Sequence, residues 1–422
     1  MKTRSLVRFV ALAFVATAVT TATYAIAQRV DARRPTTVVV GATPGPAATF
    51  RGDAQRSGLS RVAFPKPPLK VDWRKPVGAA IDQAPLALAD STVVLTNRGE
   101  LYWYASDGTE AGKVFLQGSG AATSPIVLAD GTIVVVSNGD VIGARKEGTR
   151  FRVTLGNDRT ALANATPLAL LDGGFVVAYG AELVVLDDEG SVRTRTTAPE
   201  APKGPLASAD GKIYFATETG VVYAWNAGRD VVRIGSFGGA LDGGMALEGS
   251  RTAYAIVDGS RLVALDLTKG VALPRATLGS GWYLGPPAIR NGSASFMAIV
   301  PGRTFAVTID GNGQEVLRVP ITPPSLSFLT IGDAGAAAFV VPPHAGVLVD
   351  PTGAIAFASP EGLVGVVDAS GVGQALADPP CPKGSRGTGG VAAIVPGGAG
   401  ALMVACTGSS GGGTLVRVVG SN

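Results

Sequence analysis

The stretch SPIVLADGTIVVVSNGDVIGA, residues 124–144, decides the fold. It opens on Ser124-Pro125 and a short apolar run, then reaches Asp130-Gly131 and a second apolar run at 133–136. A polar turn holding Gly139 follows, and a third run begins with Val141-Ile142. Runs of this length, rich in Val, Ile and Leu, suit short strands. Asp-Gly between two of them signals a hairpin, because glycine accepts the positive φ of a tight turn. The unit recurs on both sides. It appears at Pro85 with Asp90, Gly99 and an apolar run at 101–104, at Pro167 with Asp172-Gly173, and at Pro205 with Asp210-Gly211. Looser copies start at Gly244, Pro287, Gly346 and Val391. From Pro85 to Pro287 the anchors step by 40, 42, 38, 39 and 43 residues.

No part of the chain beyond the first 27 residues shows a long amphipathic helical period. A period near 40 built of about four strands is a propeller blade. Leucine-rich and helical repeats fail on period or on element type. The sequence therefore predicts an all-β β-propeller of four-stranded antiparallel blades over 51–422, with eight blades, or seven as the alternative. The count turns on 320–345, where Ile331-Gly332-Asp333 and Phe339-Val340-Val341 form an extra element. A propeller must also hide the edge of its last sheet. The segment from Leu69 to Arg74 precedes the first blade and is placed to supply the outer strand of the final one.

The start of the chain reads as an export signal. Lys2, Arg4 and Arg8 precede an apolar run that closes on Ala25-Ile26-Ala27, which predicts cleavage between Ala27 and Gln28. The alternative is an uncleaved anchor, since the run is near the roughly 20 residues a spanning helix needs. Thr17, Thr20, Thr21 and Thr23 dilute it, and no Cys follows for lipid attachment. Residues 28–50, rich in Pro, Thr, Ala and Gly, read as a flexible tether. The location expected is periplasmic or secreted, with no membrane span once the signal is removed.

The net charge of +4 belongs to this leader. Setting Lys2, Arg4 and Arg8 aside leaves 33 basic against 32 acidic residues, and residues 51–422 come to −1. A nucleic-acid binder needs a basic face that neutralises phosphates, and the repeats hold no excess to supply one. Cys381 and Cys406 are the two cysteines. In an oxidising compartment they would close a loop worth about 3 kcal/mol; two buried free thiols are the alternative.

Residues 261–270, RLVALDLTKG, resemble the repeat core of pyrroloquinoline-quinone-type propellers, where an apolar strand ends in Ala-x-Asp, a turn and Gly. Residues 50–58, FRGDAQRSG, are similar to the segment that often leads into these propellers, and Trp73-Arg74 through Gly78, before Pro85, matches their strand-to-strand join. The resemblance covers 51–422, strongly to residue 270. It implies blades more firmly than any activity. That family holds quinone-dependent alcohol and sugar dehydrogenases and non-catalytic relatives, among them the propeller lipoprotein of the outer-membrane barrel-assembly machinery. The enzymes need a Ca²⁺-bound quinone, acidic and amide ligands, a catalytic Asp and aromatic stacking. Many also place a Trp soon after the Gly of each unit. Here Gly270 is followed by Val271-Ala272-Leu273-Pro274, and only Trp73 fits. The adjacent-cysteine pair of those enzymes is missing too.

Other chemistry is thin. His344 is the only histidine, which excludes a multi-histidine zinc site. Gly408-Ser409-Ser410-Gly411-Gly412 matches G-x-S-x-G, but in a glycine-rich hairpin rather than a strand-to-helix elbow. Asp310-Gly311-Asn312-Gly313 and Asp187-Asp188-Glu189-Gly190 look like calcium-loop openings, yet other copies have Asp-x-x-Gly turns there. Trp103, Tyr104, Tyr223 and Trp225 fall on equivalent strands, as blade-to-blade packing or as an aromatic surface for a peptide or glycan. No cofactor is expected. The sequence reads as a monomeric, exported, non-enzymatic scaffold with a protein partner in the cell envelope; the alternative is a quinone-dependent dehydrogenase or a sugar- or ligand-binding propeller.

Overall fold

The computed structural model describes Thr49 and residues 51–421, apart from 118–122, 138, 157–165, 171, 242, 280–281, 301–302, 321–345, 359–362, 378–379, 382–389, 399 and 408–411. Ala27, Gln28, His344 and the extra element at 331–341 lie outside the described residues, as does most of 408–412.

Eight sheets of four antiparallel strands form an eight-bladed β-propeller. Blades 1 to 7 span 86–115, 126–154, 168–197, 207–236, 246–277, 282–320 and 347–375. Blade 8 takes three strands from the C-terminal end, Gly390–Pro396, Ala401–Thr407 and Gly413–Gly420. Its fourth comes from the other end of the chain. Leu69–Val77 pairs antiparallel with Gly413–Gly420, from Leu69 opposite Gly420 to Val77 opposite Gly413. The eighth copy thus hides its edge under the strand that precedes the first.

Local chemistry sets the hairpins. In blade 4, Asp210 (φ 47°) and Gly211 (φ 73°) form a two-residue turn with both φ positive, and Asn291-Gly292 does the same in blade 6. Such turns match the twist of the flanking strands. The second and third strands of most blades are buried on both faces, which is why they read as continuous apolar runs.

The core is divided among the joints between blades. Eight apolar clusters of the described residues each bridge two neighbouring blades, from blades 1 and 2 round to blades 8 and 1. Strand alternation makes this possible. In blade 1, Leu101 and Trp103 pack toward blade 2, while Tyr102 and Tyr104 pack toward blade 8.

Candidate functional site

A propeller offers two kinds of site, its loops and its central channel. Here the channel is held by the chain's own lead-in segment. First strands of neighbouring blades touch one another around the axis, and their channel-facing N–H groups need acceptors. Residues 54–58 supply them one blade at a time. Ser208 N–H of blade 4 donates to the Ala54 carbonyl at 2.7 Å, and Leu247 N–H of blade 5 to that of Gln55 at 2.9 Å. Ile289 N–H of blade 6 donates to Ser57 at 2.7 Å, and Val349 N–H of blade 7 to Gly58 at 2.9 Å. Ser60 N–H returns a bond to the Val349 carbonyl at 2.7 Å, and Leu59 forms a parallel bridge with Val349.

Two arginines lock this path. Arg56 donates through Nε to the Leu206 carbonyl (2.8 Å), through Nη2 to that of Pro167 (2.6 Å), and through Nη1 to Thr49 Oγ1. Arg51 donates through Nε to the Arg56 carbonyl (3.1 Å) and through Nη2 to that of Pro287 (2.9 Å). Both have positive φ, 61° at Arg51 and 56° at Arg56, a costly conformation for a non-glycine residue that persists only where surroundings over-determine it. Both are buried, and burial pushes each guanidinium down to about 10 against the opposing effect of Asp53. Burial likewise raises the Asp53 carboxyl, although Ser57 donates to it from both its N–H (2.9 Å) and its hydroxyl. After Ser60 the chain passes Asp350, whose Oδ2 accepts Phe64 N–H at 2.9 Å. The neighbouring Ala63 carbonyl accepts Gly400 N–H of blade 8 at 3.2 Å, and the chain reaches its outer-strand position at Leu69.

The aromatic residues singled out from the sequence form no exposed patch. Trp103, Tyr104, Tyr223 and Trp225 are 2%, 3%, 5% and 1% exposed, each within an inter-blade cluster. These large rings fill the joints between neighbouring blades. Trp225 Nε1 donates to the Arg229 carbonyl, and the Tyr223 hydroxyl to Glu200. Cys381 and Cys406 are bonded to each other and buried, tying the connection that leads into blade 8 to that blade's middle strand. Asp187 and Asp310 each turn Oδ1 onto backbone N–H groups two and four residues on: Glu189 and Ser191 for the first, Asn312 and Gln314 for the second. Those oxygens cap turns. Among the described residues no three His, Cys, Asp or Glu side chains are grouped to hold a metal ion, and no helix is long and apolar enough to cross a membrane.

No family model and no curated protein matches the chain. Among solved structures it is similar to BamB from Moraxella catarrhalis, with 15% sequence identity and a TM-score of 0.55, over 82% of this chain and 97% of that one. It is also similar to Ika8, a computationally designed protein, with 15% identity and a TM-score of 0.57, over 82% and 98%. The likeness is one of fold. The resemblance of residues 50–58 to a propeller lead-in does not by itself tell where in the ring the segment lies. Its signal was present in two arginines and an aspartate set among small residues, a charge density that a solvated tether has no need to bury.

Proposed function

We propose that this chain is an exported, non-enzymatic propeller that binds another protein in the cell envelope. The observation that carries the reading is the occupied axis. Along the arc of blades 4 to 7 the channel wall is hydrogen-bonded to residues 54–58 of the chain itself. Binding then falls to loops and to the outer strands, each of which ends its sheet with an unpaired edge. Val232 of blade 4, Val271 and Leu273 of blade 5 and Val316 of blade 6 lie exposed on those strands. An extended segment of a partner can add to such an edge, with main-chain bonds giving affinity and exposed side chains giving selectivity. Arg233, Arg275 and Arg318 on the same strands discourage indiscriminate edge pairing. The export reading rests on residues 2–27, with cleavage after Ala27 and a periplasmic or secreted product.

The test is capture of partners from envelope extract by the chain beginning at Gln28. A discrete partner whose recovery falls when Val271→Lys and Leu273→Lys are combined is the expected result. A tight complex with the quinone and Ca²⁺, seen in the absorbance spectrum and accompanied by dye-linked alcohol oxidation, would overturn the reading.

A further inference from the structure

The inner strands of blades 1, 2 and 3 point N–H groups at the axis that residues 54–58 do not reach. Along an edge strand, successive residues turn their N–H alternately into the sheet and away from it. Blade 7 shows the pattern: Asp350 donates inward to the Ala354 carbonyl at 2.9 Å, and Val349 before it donates to Gly58 on the axis. Leu88, Leu128 and Leu170 donate inward in the same way, to Ser91, Thr132 and Gly174, each at 2.8 Å. Ala87, Val127 and Ala169 before them, in register with Thr92, Ile133 and Phe175, therefore direct N–H toward the axis. Among the described residues none accepts from these three. Ala87 and Val127 are each 1% exposed, as closed to water as the four covered positions. A buried N–H without an acceptor is costly.

Blade 8 marks the contrast. Gly397 donates inward to the Ala401 carbonyl at 3.0 Å, and the residue before it is Pro396, which has no N–H to leave unpaired. Where the path leaves the axis the donor is gone, whereas blades 1 to 3 keep theirs. The chain also stands in the right place to meet them. Thr49 is buried at the blade 3 end of the path. Its Oγ1 accepts from Arg56 Nη1, while Nη2 of the same guanidinium holds the Pro167 carbonyl, two residues before Ala169. Directly upstream come residues 44–48, PGPAA, which lie outside the described residues. They offer five carbonyls but only three N–H groups, and no side chain larger than that of proline. Residues 54–58 serve four blades with five residues, so five suffice for three.

We propose that residues 44–48 continue the axial path from Thr49 across blades 3, 2 and 1, their carbonyls accepting from Ala169, Val127 and Ala87. The chain then rings the axis on seven blades and omits only the one marked by Pro396. A segment already tethered beside its site has a high effective concentration there, which favours it over a peptide from solution. The assignment does not depend on the scaffold reading, because it needs no partner protein.

Amide hydrogen exchange, compared between the chain beginning at Gln28 and one beginning at Thr49, tests the assignment. Removing residues 28–48 should speed exchange at Ala87, Val127 and Ala169 by about fivefold or more, the effect of one lost hydrogen bond at each. Ser208, Leu247, Ile289 and Val349 are the controls; their exchange should not change, because residues 54–58 remain in both chains. Elastase, which cuts after small residues, gives a second reading on the chain from Gln28. Cutting after Val40 and Ala42 is expected, with the bonds after Ala47 and Ala48 resistant. Equal protection of Ala87, Val127 and Ala169 in the two chains, which ordered water or a bound partner would give, overturns the proposal. Cutting after Ala47 as fast as after Val40 overturns it too. Should the shorter chain fail to fold, the protease comparison decides alone.

Discussion

At Gly58 the packing leaves no room for a side chain. Its φ is +71°, and a Cβ there would meet the Arg51 guanidinium on one side and lie 2.9 Å from the Ala288 Cβ on the other. Gly58→Ala is therefore expected to destabilise the protein by about 2–4 kcal/mol, through backbone strain and displacement of Arg51. Denaturant unfolding monitored by tryptophan fluorescence checks this. The turn aspartates act at the same scale. Asp368 Oδ1 accepts N–H groups from Ser370 and Val372 at 2.9 Å each, and Asp266 and Asp310 do the same for their own turns. These bonds favour the ionised form and hold all three carboxyls below the ordinary 3.8; the hydroxyl of Thr268 leads at Asp266, the hydroxyl of Ser370 at Asp368, and the backbone N–H of Gln314 at Asp310. A carboxyl depressed in the folded state contributes stability that is present above its unfolded value and lost as pH falls through the folded one. Stability should thus decline as pH drops below about 4, and the decline should flatten when the three are replaced by Asn. Unfolding midpoints measured between pH 6 and pH 2 give the comparison.

Among the elements, blade 8 bears the closure. It joins Leu69–Val77 to three strands more than 300 residues away in sequence, and its clusters with blade 7 and blade 1 complete the ring. Trp73 adds a clasp by donating Nε1–H to the Ser106 carbonyl of blade 1 at 3.0 Å. The Cys381–Cys406 bond spans 25 residues and restrains the same blade when the chain is unfolded. Replacing both cysteines by Ala should cost about 3 kcal/mol from lost loop closure, read as a lower unfolding midpoint under non-reducing conditions. Blade legibility follows from the same physics. The second and third strands are buried on both faces, so their apolar runs are visible in any one sequence. Outer strands such as 192–197, VRTRTT, are half-solvated and carry little repeat signal. The long apolar first strand and deep second strand of blade 6 made that copy irregular in sequence, because a bulge between Leu284 and Ala288 breaks the spacing.

Across the whole molecule, the lead-in segment joins blades that otherwise meet only their neighbours. Its carbonyls and arginines reach blades 3 through 7 before it crosses to blade 8. Starting the chain at Leu69 should leave the blades and their circular dichroism intact, yet lower the thermal midpoint markedly, since four inner-strand N–H groups lose their acceptors at roughly 1 kcal/mol or more each. Adding a peptide of residues 49–60 back should recover part of that loss. The sequence by itself determined the blade repeat, the likeness of its copies and the strand kept for closure, because these depend on strand period and turn chemistry, which are local. It left open eight blades against seven, and aromatic packing against an aromatic surface. Only the tertiary structure decided those, since both depend on which faces meet around the ring. It alone placed Arg51 and Arg56 on the axis, because the burial of a charged side chain is fixed by the carbonyls that surround it, and those of Pro167, Leu206 and Pro287 come from the inner ends of blades 3, 4 and 6.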